Sequence, residues 1–142
     1  MIVLDTNVVS EPTHRAPSDT VRRWMLTQDR NELFTTAITE AEMLWGVELM
    51  PPGQRRTSLA EQIHRIFDAE LANRILPFDN AAAREFPTIV MLRRKNGRPI
   101  SSTDAQIAAI ARAHRAILAT RNFKDFEGCG IKVVNPWAVG VS

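Results

Sequence analysis

Tyrosine is absent from the 142 residues, cysteine occurs once and glycine only six times. The lone thiol, Cys129, rules out an internal disulfide and a cysteine-built zinc site, and it reads as a small, partly buried side chain. No run approaches the roughly 20 apolar residues of a membrane span, and Asp5 stands where a secretory signal would carry its apolar stretch. The chain therefore reads as a cytoplasmic protein with no membrane partner. Neither GxxxxGK[ST] nor GxGxxG occurs, so nucleotide-dependent catalysis lacks its phosphate loop. Aromatic residues are only 6% of the chain, which argues against a surface that holds single-stranded nucleic acid by stacking.

Strong net charge is missing too. A pI near 9.2 suggests a polyanion binder, yet the formal net charge is only +2. With no tyrosine and one cysteine, few groups titrate between histidine and lysine, so a slight cationic excess moves the neutral point far up the pH scale. Local clusters matter more: Arg22 with Arg23, Arg55 with Arg56, and Arg93, Arg94, Lys95 and Arg98. Each of these also fits a solvated face.

What is present, 44% hydrophobic and 24% charged residues, is enough for one globular domain over residues 1–142. The run IVL reads as a buried strand ending on Asp5. Residues 18–29 form a helix capped by Ser18 or Asp19, with Val21, Trp24 and Met25 on one face. LFTTAI is a second strand. Thr39 and Glu42 then match a capping box that opens a helix, with Met43, Val47 and Met50 along one side. Residues 54–72 carry the stripe Leu59, Ile63, Ile66, Phe67 and Leu71, and ILPFD follows as a short strand. The next helix, over 81–97, should be interrupted near Pro87 and closed at Gly97. Thr103 and Gln106 match a second capping box, with Ile107, Ile110 and Ala111 facing inward, before the strands AILAT and KVVNPW. This alternation predicts an α/β fold with a central, mostly parallel β-sheet flanked by helices on both faces.

In such sheets ligands bind beyond the carboxyl ends of the strands, and Asp5, Glu42 and Asp104 all map to that edge. Singly, each has an ordinary explanation: an Asx-turn for Asp5, a capping box for Glu42, a first-turn acid favoured by the helix dipole for Asp104. Together they crowd negative charge that a cation would relieve. Oxygen-only ligation with room for waters suits Mg²⁺, or Mn²⁺, over structural zinc. Such an ion activates water and stabilises charge on phosphate, which gives phosphodiester hydrolysis a physical basis.

The stretches VLDTNVVSEP, TAITEAEMLWGVE, ILPFD, SSTDAQIAAIA, LATRNFKDFEG and VVNPW stand in the order found in PIN-domain ribonucleases. Over Ile2 to Trp137 the chain resembles the VapC and FitB toxins of bacterial type II toxin–antitoxin systems. The resemblance implies a PIN-like fold and a metal-binding triad of Asp5, Glu42 and Asp104, with Glu40 facing solvent. It places Thr6, Asn7 and Thr120 beside the first acid. Many members carry a fourth acid directly after the TR pair, where this chain has Asn122, with Asp125 three residues later. Either can fill that position.

The implied activity is metal-dependent hydrolysis of RNA, of transfer RNA or a ribosomal RNA loop, leaving a 5′-phosphate and a 3′-hydroxyl. The implied partners are a cognate antitoxin and a second copy in a homodimer within a larger toxin–antitoxin assembly. Arg93, Arg94 and Lys95 are the candidates for guiding RNA, and Trp24, Trp45 and Leu49 for anchoring the antitoxin. None of His14, His64 and His114 is needed. Two other readings remain: a PIN-fold RNA- or protein-binding module with weak or no catalysis, and a haloacid dehalogenase-like phosphatase. Asn7 stands where the phosphatase would need a second aspartate.

Overall fold

Five short strands build the sheet: β1 (Ile2–Leu4), β2 (Leu33–Thr36), β3 (Ile75–Leu76), β4 (Ile117–Ala119) and β5 (Lys132–Val134). In this computed structural model, which describes residues 1–138, they pair in the order β3-β2-β1-β4-β5, every neighbour parallel. The expected domain end at residue 142 lies outside the described residues. The helices are α1 (Thr6–Ser10), α2 (Asp19–Thr27), α3 (Ala37–Glu48), α4 (Gln54–Arg65), α5 (Asn80–Lys95), α6 (Ser102–Ala113) and α7 (Phe123–Phe126). None is long and apolar enough to cross a membrane.

Alternation along the strands sorts the core into two layers. Val3 and Leu118 pack with Ile89, Ile107, Ile110 and Phe126 on one face. Leu4 and Ala119 pack with Val8, Val9, Trp24, Met43, Val47 and Ile63 on the other. Near-continuous apolar strands are what a sheet covered on both faces requires.

Several local expectations need correction. The second strand stops at Thr36, whose hydroxyl accepts from the Thr39 N–H at 3.1 Å, so α3 starts at Ala37 and the Thr39–Glu42 capping box does not form. Likewise Ser101, not Thr103, caps α6, accepting from the Asp104 N–H at 3.2 Å. In both places a hydroxyl two or three residues upstream competes for the same role, and the strand end decides which wins. Pro87 does not break α5: buried Ala82 and Ile89 on either side of it pack into the core with α6, which outweighs the lost hydrogen bond. The helix over 54–72 is α-helical only to Arg65. A π turn over Ile66–Glu70 follows, closed by Leu71 N–H donating to Ile66 O at 2.8 Å, and this wider turn keeps Ile66, Phe67 and Leu71 buried. The closure of α5 at Gly97 holds: with φ +70°, Gly97 donates to Arg94 O and Arg98 to Arg93 O, a Schellman ending.

Candidate active site

The chain leaves β1 toward β2 on one side and later returns from β3 to β4 on the other. The carboxyl ends of β1 and β4 therefore flank the crevice where strand order reverses, the usual place for a ligand in an open parallel sheet. Asp5 closes β1 there. Its N–H donates to Ala119 O at 2.9 Å, extending the sheet, and its Oδ1 accepts from the Thr6 N–H at 2.8 Å as the N-cap of α1. Its Oδ2 accepts from the Thr120 hydroxyl at 2.7 Å and from Asn7 Nδ2 at 3.4 Å. Asp5 thus caps α1 rather than only opening an Asx-turn, yet it is only 5% exposed. Burial pushes its pKa from 3.8 to about 6 despite the Thr120 and Thr6 hydrogen bonds, and the charges of Asp104 and Glu42 push the same way.

Asp104 occupies the first turn of α6 and is half-buried. Burial raises its pKa, the charges of Asp125 and Glu42 add to the rise, and the Ser101 hydrogen bond and the Arg93 charge oppose it. Glu42 is exposed in the second turn of α3, with Oε1 accepting from Thr6 Oγ1 at 2.8 Å. Thr6 has a single hydroxyl proton, committed to Glu42, so Thr39 must donate to Thr6 across 3.0 Å, while Thr36 donates to Thr39 across 3.4 Å. A file of three hydroxyls thereby points at one carboxylate. Glu40 is half-buried.

Thr120 is the hub on the β4 side. Fully buried, it donates to Asp5 and accepts from Asn7 Nδ2 at 3.3 Å and from the Asn122 N–H at 3.1 Å. Asn7, expected in a turn, lies in α1, and its Oδ1 accepts from the Arg121 N–H at 3.2 Å. Asn122 enters through its backbone, its carbonyl also accepting from the Asp125 N–H at 3.0 Å. Asp125 lies on α7, and its charge is one of those felt at Asp104. None of Asp5, Glu42, Asp104 and Asp125 is ion-paired among the described residues. Nor are any three Asp, Glu, His or Cys side chains there placed to hold an ion by themselves.

Two assignments fail on burial. Arg93 is 5% exposed and donates from one guanidinium nitrogen to Lys124 O at 3.1 Å and Glu127 O at 2.6 Å, so it clamps the segment bearing Asp125 and is not available to RNA. Arg98 reinforces that clamp through Glu127 at 2.7 Å and Lys124 O at 3.2 Å. Trp24 is 8% exposed and belongs to the core under α2, so it cannot anchor a partner. Arg94 and Lys95 are exposed at the end of α5, and Trp45 and Leu49 are exposed on α3 and just beyond it. Cys129 is wholly buried. His14 and His64 sit at the surface beside Glu11 and Asp68, and His114 is exposed at the end of α6. The hydroxyls of Thr36 and Thr39, which line up behind Glu42, carry no sequence signal beyond their T-x-x-T spacing.

Comparison with known proteins places the fold in a family. A PIN domain family model matches residues 2–128. The chain is 39% identical over 137 residues to a protein named VapC ribonuclease Y4jK of Sinorhizobium fredii, covering 96% of this chain and 98% of that one. It is 36% identical over 137 residues to Toxin FitB of Neisseria gonorrhoeae, covering 96% and 99%. A solved structure described as FitAB bound to an IR36 DNA fragment superposes with a TM-score of 0.90 at 36% identity, over 96% of each chain. On the family match and these identities, the chain belongs to the PIN-domain family.

Proposed function

We propose that this protein is a divalent-metal-dependent endoribonuclease, the toxin of a type II toxin–antitoxin pair, acting in the cytoplasm as one PIN domain over residues 1–142. The observation that carries the reading is the convergence of Asp5, Glu42 and Asp104, none of them ion-paired among the described residues, on the crevice between β1 and β4. Their donor set is all oxygen, and the raised pKa of Asp5 and Asp104 reflects a site that burial and crowded carboxylates make costly to ionise without an added cation. Mg²⁺, or Mn²⁺ in its place, fits such donors: Mg²⁺ keeps several waters and takes one or two carboxylates, which suits acids not drawn close enough to chelate alone. Asp5, Glu42 and Asp104 would hold it, with Asp125 or Asn122 beside them. When bound, the ion supplies an activated water and neutralises charge on the phosphodiester.

The chain's own groups prepare that site. Thr120 and the Thr6 N–H hold the Asp5 carboxylate in one orientation and favour its ionised form. The Thr36–Thr39–Thr6 file fixes Glu42, an exposed side chain that would otherwise sample many rotamers. Arg93 and Arg98 hold α7 so that Asp125 stays near Asp104. Hydrolysis in this arrangement leaves a 5′-phosphate and a 3′-hydroxyl. The substrate class is structured RNA, transfer RNA or a ribosomal RNA loop, with Arg94 and Lys95 available to its backbone. Trp45 and Leu49, 63% and 66% exposed, are apolar anchors for an antitoxin. A homodimer joined into a larger toxin–antitoxin complex is the assembly that goes with this reading.

The test is cleavage of folded RNA by the purified, antitoxin-free protein. Cleavage should require Mg²⁺, stop with EDTA and fall at least about 100-fold in Asp104→Asn. Equal cleavage by that folded variant would overturn the reading.

A further inference from the structure

Two stretches flank the acidic crevice without a role so far: Arg121, in the turn after β4, and Trp137, after β5. The Arg121 backbone is tied to the site, since its N–H donates to Asn7 Oδ1 at 3.2 Å and Asn7 in turn contacts Asp5 and Thr120. Its guanidinium lies over the Trp137 ring, 5.1 Å from the centroid. The ring packs against the core layer under β1 and β4, and the Trp137 backbone is held by its own N–H, which donates to Asn135 Oδ1 at 2.9 Å. Arg121 is exposed and has no carboxylate partner among the described residues.

We propose that Arg121, stacked on Trp137, is a binding site for an RNA phosphate next to the acidic crevice, on the β4 side and opposite Glu42. The stacking decides the ligand. The guanidinium is held over the indole with no carboxylate partner among the described residues, and a guanidinium grips a phosphate by two parallel hydrogen bonds. A base would need the indole face that Arg121 occupies. An arginine held on an aromatic ring also has less freedom to lose on binding than a free one. A site built of carboxylates repels the RNA backbone, and a fixed cation one residue from Thr120 offsets that repulsion where the chain must enter.

This inference rests on the ribonuclease reading, and the experiment separates the two. Bulk transfer RNA is the probe, at fixed low Mg²⁺ with KCl varied, using the full chain and its Arg121→Gln and Arg121→Lys variants, each checked for an unchanged melting temperature. Cleavage gives KM and kcat, and binding is measured in an Asp104→Asn background. For Arg121→Gln the loss should fall on KM more than on kcat, with affinity down about tenfold. The slope of log K against log salt should become shallower by up to about 0.7, the share of one phosphate contact on a single strand. Arg121→Lys should keep most of the slope but lose affinity, because a point charge cannot make the paired hydrogen bonds. An unchanged slope and KM in a folded Arg121→Gln variant overturn the inference alone. Failure of the parent chain to cleave or bind RNA overturns the ribonuclease reading and this inference with it.

Discussion

Replacing Asp5 by asparagine should stabilise the metal-free protein at neutral pH while removing its activity. Asp5 is 5% exposed, and burial lifts its pKa from 3.8 to about 6. Between those values the folded protein holds a proton that the unfolded chain releases, so stability is full below pH 4 and declines as pH rises through 6. Moving a carboxyl's titration by about two pH units corresponds to about 3 kcal/mol. Asparagine keeps the acceptor for the Thr6 N–H but leaves the Thr120 hydroxyl without its acceptor, a loss of about 1 kcal/mol. The net gain at pH 7 is then about 2 kcal/mol, or about 6 °C in melting temperature for a chain of this size. Thermal unfolding in EDTA from pH 4 to pH 8 measures it. The two proteins should differ little at pH 4 and diverge above pH 5, and Mg²⁺ should narrow the gap by stabilising only the wild type. Parallel profiles, or a variant less stable at pH 7, would refute the electrostatic account of Asp5.

Other perturbations discriminate among the assignments. Thr120→Val removes the donor to Asp5 and the acceptor of the Asn122 N–H, so metal affinity from calorimetric titration should fall about 10- to 100-fold with the fold intact. Arg93→Met should cost about 1–3 kcal/mol in a urea titration, because Lys124 O and Glu127 O lose their shared donor. Retained stability there would mean that the clamp on α7 is unimportant. Trp24→Ala should destabilise by about 3–5 kcal/mol, whereas Trp45→Ala should stay within about 0.5 kcal/mol and weaken capture of the antitoxin.

The architecture was legible because its signals are local and repeated. Short apolar runs alternate with amphipathic segments, and the acid that ends the first run caps the helix after it while lying at the strand edge where ligands bind. The acids sharing the crevice followed from the topology. What the sequence concealed was competition between near-equivalent residues. Thr36 and Thr39, like Ser101 and Thr103, each offer a cap, and only the place where the strand releases the chain selects one. Arg93 and Arg94 are adjacent with the same chemistry, yet the phase of α5 buries the first and exposes the second. Trp24 misled because an aromatic on a helix face looks the same whether the core or a partner covers it. The hydroxyl file behind Glu42 joins residues 33 positions apart, a separation that no periodicity encodes.

The most direct test of the central claim is sequencing of RNA 5′-phosphate ends after brief induction of the wild type and of Asp5→Ala in a bacterial host. Metal-dependent cleavage carried by Asp5 predicts discrete new ends confined to the wild type, which would also name the target. The same ends in both strains, with the wild type folded and free of antitoxin, would contradict it.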